Sequence, residues 1–348
     1  QRSGKMKKGP LFLCLLLCLF ITPLPLRGND RGAGGQALKI PVFATILPQA
    51  YFLERIGGNY LQVSILVGPG QSPHTYEPTP RQMAKLAAAR AYFRIGVPVE
   101  RGVLNKLRKT NPQLIIVATQ QGVPYRYLDD YDHGHEKAGQ RREPPAGRSP
   151  GQKPGAVGMF PPENRAGKRG ETPDPHIWMS PRLVKIQARN IHEALCRLDP
   201  AHRQEYGAGL QSFLEDLDRV DARISRALAP LRGEKMYVFH PAFGYFADAY
   251  GLTQVPVERA GKEPSARQLA ALITAAKRDG VKVMFVQRQF PAKSAAAVAA
   301  AIGGAVTPID PLARDYLANL ERIAGAVEQA RRGNPDAGRR RNDGSRAS

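Results

Sequence analysis

The stretch YGAGLQSFLEDLDRVDARISRAL, residues 206–228, decides how the rest of the chain is read. Tyr206, Leu210, Phe213, Leu214, Leu217, Val220, Ile224 and Leu228 recur at steps of three and four, with one adjacent pair. That is a single apolar stripe over roughly six turns at 3.6 residues per turn. Pro200 precedes the stripe and Pro230 ends it. On either side, short apolar runs alternate with helical patterns. A helix of this length between two such regions predicts a stiff strut joining two lobes.

Working outward toward the N-terminus, strands are expected over 39–46, 61–67, 91–95 and 114–118, with helices over 48–56, from Thr79-Pro80, and over 98–108. Thr79 is a suitable N-cap, with Pro80 at the first helical position. A helix over 181–198 leads to the strut. Toward the C-terminus, strands are expected over 236–239, 252–257, 281–286 and 305–308. The helices there are 241–250, 266–278 capped by Ser265, 291–302 and 311–328. Strand–helix alternation implies parallel sheets covered by helices. The expected fold class is therefore α/β: a first lobe over 38–198, a linking helix over 199–232 and a second lobe over 233–330.

Three segments stand apart. Leu11 to Ile21 is apolar, follows Lys7 and Lys8, and is broken by Pro23 and Pro25. A basic flank and a short apolar core read as a secretory signal over 1–26, with an uncleaved anchor as the alternative, followed by a Gly-rich linker over 27–37. Residues 129–173 are rich in Gly, Pro and charge, without apolar periodicity, and are expected to form a mobile loop inserted in the first lobe. A disordered basic tail is expected over 331–348. The net charge is +21, and segments 1–37, 137–170 and 331–348 carry +5, +6 and +4 of it. The excess thus sits on tails and an insertion, which argues against a folded nucleic-acid surface. Of three Cys, Cys14 and Cys18 lie in the apolar N-terminal run and leave Cys196 alone, so a metal site would have to use His and carboxylates.

Such residues occur at telling places. His74 lies in the loop after strand 61–67, His240 at the carboxyl end of strand 236–239, and Asp310 just beyond strand 305–308. In open α/β sheets, ligands bind outside the carboxyl ends of the strands. His176 lies in Asp174-Pro175-His176-Ile177-Trp178-Met179-Ser180-Pro181, which holds the single Trp. Proline adjoins or brackets each candidate and restricts its backbone. Three imidazoles and one carboxylate, two ligands from each lobe, suit four-coordinate zinc. Asp310 has a second reading as the cap of a helix from Pro311. Asp174 is expected to orient His176 or to cap the next helix. His192 and His202 read as structural. His133 and His135, with Asp129, Asp130, Asp132 and Glu136, form a second cluster that reads either as a loose metal site or as a solvated loop.

The sequence resembles the solute-binding proteins of bacterial zinc and manganese ABC transporters over about 38–330. The resemblance is carried by Pro73-His74-Thr75-Tyr76-Glu77-Pro78, Asp174-Pro175-His176-Ile177-Trp178, Phe239-His240-Pro241-Ala242-Phe243-Gly244-Tyr245-Phe246, Gly261-Lys262-Glu263-Pro264-Ser265 and Pro308-Ile309-Asp310-Pro311. It implies two α/β lobes joined by a long rigid helix, with the metal between them and His74, His176, His240 and Asp310 as ligands. His240, where manganese members carry Glu, implies Zn²⁺ over Mn²⁺. The implied protein is a periplasmic monomer, secreted or membrane-anchored, that captures zinc as a transported solute and delivers it to an ABC transporter permease. It would be no enzyme and would bind no nucleic acid. The alternatives are a zinc-dependent hydrolase, with Glu77 and Glu263 the nearest spare carboxylates, a manganese or iron carrier, or a surface adhesion protein of the same fold. Gln287-Arg288-Gln289-Phe290 departs from the family pattern, in which Pro occupies the place of Arg288.

Overall fold

A computed structural model describes residues 39–128, 172–258, 264–290 and 293–332. The expected signal segment, linker and second histidine cluster lie outside these residues, as does nearly all of the expected loop and tail. The first lobe runs β1 (Ile40–Ala44), α1 (Leu47–Gly57), β2 (Leu61–Ile65), α2 (Pro80–Ala87), β3 (Ala91–Arg94), α3 (Val99–Thr110) and β4 (Ile115–Ala118). Its strands are all parallel, in the order β2-β1-β3-β4. A short antiparallel pair that periodicity did not reveal, β5 (Tyr127–Leu128) with β6 (Thr172–Pro173), closes the base of the insertion. Thr172 and Pro173 therefore belong to a strand, not to the loop.

Helix α4 (Pro181–Leu198) ends the first lobe, and α5 (Arg203–Leu228) is the long helix expected from the apolar stripe. The second lobe runs β7 (Lys235–Val238), α6 (Gly244–Tyr250), β8 (Thr253–Pro256), α7 (Ala266–Arg278), β9 (Val283–Val286), α8 (Lys293–Ala301), β10 (Ala305–Pro308) and α9 (Tyr316–Arg332). Its sheet is also parallel, in the order β10-β9-β7-β8. Each lobe therefore repeats one winding, with the second strand outside the first and the third and fourth on its other side. Thr79 and Ser265 both form full capping boxes, with Gln82 and Gln268 respectively.

Two helices start later than the sequence suggests, for one kind of reason. α6 begins at Gly244, not Pro241: the His240 carbonyl accepts from Gln287 Nε2 at 2.8 Å. α9 begins at Tyr316, not Pro311. The Pro311 carbonyl accepts from the Trp178 indole at 2.8 Å, and the Asp310 carbonyl accepts from Asn319 at 2.6 Å. Carbonyls engaged by distant side chains do not begin a helical ladder there. At its far end α9 takes in Arg331 and Arg332, which were read as tail.

Side-chain alternation along the second sheet shows how the lobes join. Met236 and Val238 of β7 and Phe285 of β9 face a core shared with the first lobe and α5. Tyr237, Met284 and Val286 face a separate core under α7 and α8. Period-2 alternation between two buried faces is what a fully covered parallel sheet requires. α5 packs against α1, α4 and α9. Gly209 of α5 permits a close approach, since a Cβ there would lie 2.5 Å from the Ile56 carbonyl oxygen. Among the described residues no helix is long and apolar enough to cross a membrane.

Candidate metal centre

Each histidine is delivered by a different device. His74 sits in the irregular segment after β2, behind the buried Pro73, and its backbone N–H donates to Ser72 Oγ at 3.3 Å. His176 precedes a single 3-10 turn, Ile177–Met179, whose three side chains are buried. His240 follows β7, and the Gln287 carboxamide clamps its backbone from both sides. The His240 N–H donates to Gln287 Oε1 at 3.1 Å, and Gln287 Nε2 donates to the His240 carbonyl at 2.8 Å.

The three rings converge. His74 Nε2 lies 3.4 Å from His176 Nε2 and 3.2 Å from His240 Nε2, and the last two are 3.3 Å apart. The opposite ring nitrogens explain the orientation. His176 Nδ1 donates to Asp174 Oδ1 at 2.7 Å, and His240 Nδ1 donates to Glu258 Oε2 at 2.9 Å. A carboxylate can only accept, so both Nδ1 atoms carry the proton and both Nε2 atoms present a bare lone pair. Two bare lone pairs 3.3 Å apart cannot hydrogen-bond each other. They repel unless a cation lies between them. Burial, together with the neighbouring histidines, lowers the His74 pKa to about 3, and burial lowers that of His240 despite Glu258. These two imidazoles are therefore neutral at pH 7, the form that ligates.

The spacing also fits a metal. Zn–N bonds of about 2.0–2.1 Å in a tetrahedron give nitrogen–nitrogen edges of about 3.3–3.4 Å. The space that the rings line with Ser72, Trp178, Gln289 and Phe290 has a volume of about 10 Å³, roughly room for one water or one ion. Phe290 stacks on His240, with ring centroids 4.5 Å apart and an interplanar angle of 21°.

Asp310 is not part of the convergent group, which among the described residues comprises the three histidines. Its Oδ1 accepts from Leu312 N–H at 2.9 Å and from Gln289 Nε2 at 3.0 Å. It caps a turn, and not the helix from Pro311 that its second reading expected, since α9 starts at Tyr316. Asp174 orients His176 and does not cap α4. Its other oxygen faces Arg126 Nη1 at 3.4 Å, and Arg126 Nε pairs with Asp248 of α6 at 3.2 Å. Gly244 leaves room for this guanidinium, since a Cβ there would lie 1.1 Å from Nη1. Tyr245 OH donates to the Asp174 carbonyl at 3.0 Å.

Glu258 was missed, although register could have found it. Val238 pairs with Pro256 across β7 and β8, so the residues two further on, His240 and Glu258, fall side by side. Glu77 is exposed, Glu263 lies outside the described residues, and Arg288 is exposed, so its place in an unusual motif does not bear on the site. His192 lies 3.4 Å from Cys196 Sγ, and His202 stacks on Tyr60 and bonds Asp199, both as structural residues.

Comparison with known proteins agrees with this chemistry. A family model described as zinc-uptake complex component A periplasmic, ZnuA, matches residues 42–330. The chain is similar to the high-affinity zinc uptake system protein ZnuA of Bacillus subtilis, at 24% identity over 310 residues, covering 88% of this chain and 89% of that one. It is also similar to the zinc-binding protein AdcA of Streptococcus pyogenes serotype M3, at 26% identity over 312 residues. That match covers 88% of this chain and 56% of AdcA, so the chain spans little more than half the length of that relative. A crystal structure of ZnuA matches with a TM-score of 0.70 at 36% identity, covering 84% of this chain and 98% of that one. A ZnuA deletion mutant with zinc bound matches with the same TM-score at 37% identity and the same coverage. The sequence motifs, the paired parallel sheets and the histidine triad thus have one explanation: the chain belongs to the ZnuA family of zinc-uptake components.

Proposed function

We propose that this protein captures Zn²⁺ outside the cytoplasm and presents it to the permease of an ABC transporter. The observation that carries the reading is the triangle of three Nε2 atoms, two of them fixed as bare acceptors by buried carboxylates. Imidazole donors favour zinc over manganese, which prefers oxygen. Asp310 is the proposed fourth ligand, through its Oδ2. With three neutral imidazoles and one carboxylate, the loaded centre keeps a net charge of about +1. The reading has no catalytic step, since Asp174 and Glu258, the carboxylates that reach the triad, are both engaged by imidazole N–H groups.

Release is proposed to begin at His74. Among the described residues no side chain accepts from its Nδ1, whereas each of the other two rings is held through Nδ1 by a carboxylate. The shared core behind the lobes opposes a wide hinge, so a local shift of the segment carrying His74 would open the shell. Periplasmic residence, a membrane anchor and a monomeric state belong to the same proposal.

The test is metal content and competitive affinity of the full chain. The wild type should retain one zinc per chain, and His176→Ala should weaken binding more than 100-fold, beyond what loss of an outer carboxylate costs. Equal zinc affinity in wild type and His176→Ala would overturn the reading.

A further inference from the structure

The segment after β9 lines the second lobe's half of the site, and one of its residues engages Asp310. Gln289 lies three residues beyond β9, beside Phe290, and lines the cavity with the three histidines. Its Nε2 donates to Asp310 Oδ1 at 3.0 Å, and the Leu312 N–H donates to the same oxygen at 2.9 Å. Asn319 Nδ2 fixes the Asp310 backbone through its carbonyl at 2.6 Å. The two lone pairs of Oδ1 are both occupied, which leaves Oδ2 as the only free oxygen of this carboxylate. The amide of Gln289 has one sensible orientation. Turned over, its oxygen would face the Asp310 oxygen, whereas as placed Oε1 is buried without a hydrogen-bond partner. A buried, unpartnered carbonyl beside a metal site is retained at a cost that the donation from Nε2 has to offset.

We propose that Gln289 sets the metal selectivity of the site by holding Asp310 to single-oxygen ligation. With one oxygen available, the shell closes at three nitrogens and one oxygen, the number and mixture that suit zinc. Ions that favour six or more oxygen-rich positions, such as Mn²⁺, need the second carboxylate oxygen or added waters. Gln289 withholds the first, and Phe290 and the tight cavity leave little room for the second. Gln289 is a positioning residue that acts through Asp310 and does not itself have to touch the ion. The proposal rests on Asp310 being the fourth ligand.

The experiment replaces Gln289 in the full chain with Met, which keeps the length and loses the donor, and in parallel with Glu, which keeps the shape and loses the donor. The readouts are the visible absorption of the Co²⁺-loaded protein and the ratio of Zn²⁺ to Mn²⁺ affinities by competition. Four-coordinate cobalt absorbs much more strongly than five- or six-coordinate cobalt. The wild type is expected to give the intense spectrum. Gln289→Met is expected to give a weaker one and a Zn/Mn ratio reduced about tenfold, the scale of one hydrogen bond to a charged group. Gln289→Glu is expected to move both readouts in the same direction. Unchanged spectra and ratios in the variants that fold would overturn the proposal. Asp310→Ala separates the two levels. If it leaves zinc affinity and the cobalt spectrum unaltered, Asp310 is no ligand and the proposal falls with that reading. If it alters both while the Gln289 variants alter neither, only the role of Gln289 is wrong.

Discussion

The two lobes wind their strands identically, yet the carboxyl ends of their first strands, β1 and β7, are put to opposite uses. Past β1 in the first lobe, Thr45 is closed into a buried network. Its N–H donates to Gln49 Oε1 at 3.0 Å, its hydroxyl meets Tyr92 OH at 2.8 Å and donates to Glu100, and Gln49 Nε2 reaches Thr119 at 3.1 Å. Glu100 also accepts the N–H groups of Ile95 and Gly96, each at 2.8 Å. Past β7 in the second lobe, His240 is held by Gln287 and Glu258 but leaves Nε2 without a donor. One strand end is satisfied internally and the other is left one cation short. The difference shows that a ligand site in this fold is made by omitting one hydrogen bond from an otherwise complete set.

Changing the two buried carboxylates in turn would break or sharpen this contrast. Glu258→Gln should weaken zinc binding about 10–100-fold, because His240 loses the acceptor that fixes its tautomer. Competition against a zinc chelator measures it, and an affinity within about twofold of wild type would dissolve the distinction between the two strand ends. Glu100→Ala should leave zinc affinity unchanged but lower unfolding stability by about 1–3 kcal/mol, since donors from Thr45, Ile95 and Gly96 lose their acceptor. Chemical denaturation of the zinc-free protein reads that loss.

The smallest expected effect is in acid, where two buried groups of the first lobe, His74 and Glu100, differ in sign. The His74 pKa is lowered by burial to about 3, so the unfolded chain takes up its proton first as pH falls. Stability contributed by neutral His74 is present above about 6.5 and is lost progressively toward pH 3. Burial raises the pKa of Glu100 despite its hydrogen bonds, so its contribution is full in acid and declines as pH rises above its ordinary range. Thermal unfolding of the zinc-free chain should therefore weaken below pH 6.5, and His74→Gln should flatten that slope. An unchanged slope would mean that His74 is not held neutral by its surroundings.

Much of this arrangement was legible in the residues. The stripe from Tyr206 to Leu228 marked α5, alternation marked eight parallel strands, proline-flanked polar residues at strand ends picked out His74 and His240, and a proline-bounded turn picked out His176. What was not legible depends on contacts across long separations. The delayed starts of α6 and α9 come from Gln287, Trp178 and Asn319 capturing backbone carbonyls, which no local periodicity encodes. The engagement of Asp310 by Gln289 has the same origin, as adjacent strand ends bring together residues 21 positions apart. Glu258 stood in plain view but required the register of β7 against β8, which a search for isolated runs does not supply.

Gly244 has a wider consequence. A side chain of even one carbon at this position would push the guanidinium of Arg126, the residue just before β5, away from Asp174 and from Asp248 of α6. The carboxylate behind His176 would then lose the guanidinium that faces it. Affinity for the ion could thus be adjusted from a helix that contributes no ligand, by a change that leaves every coordinating atom in place.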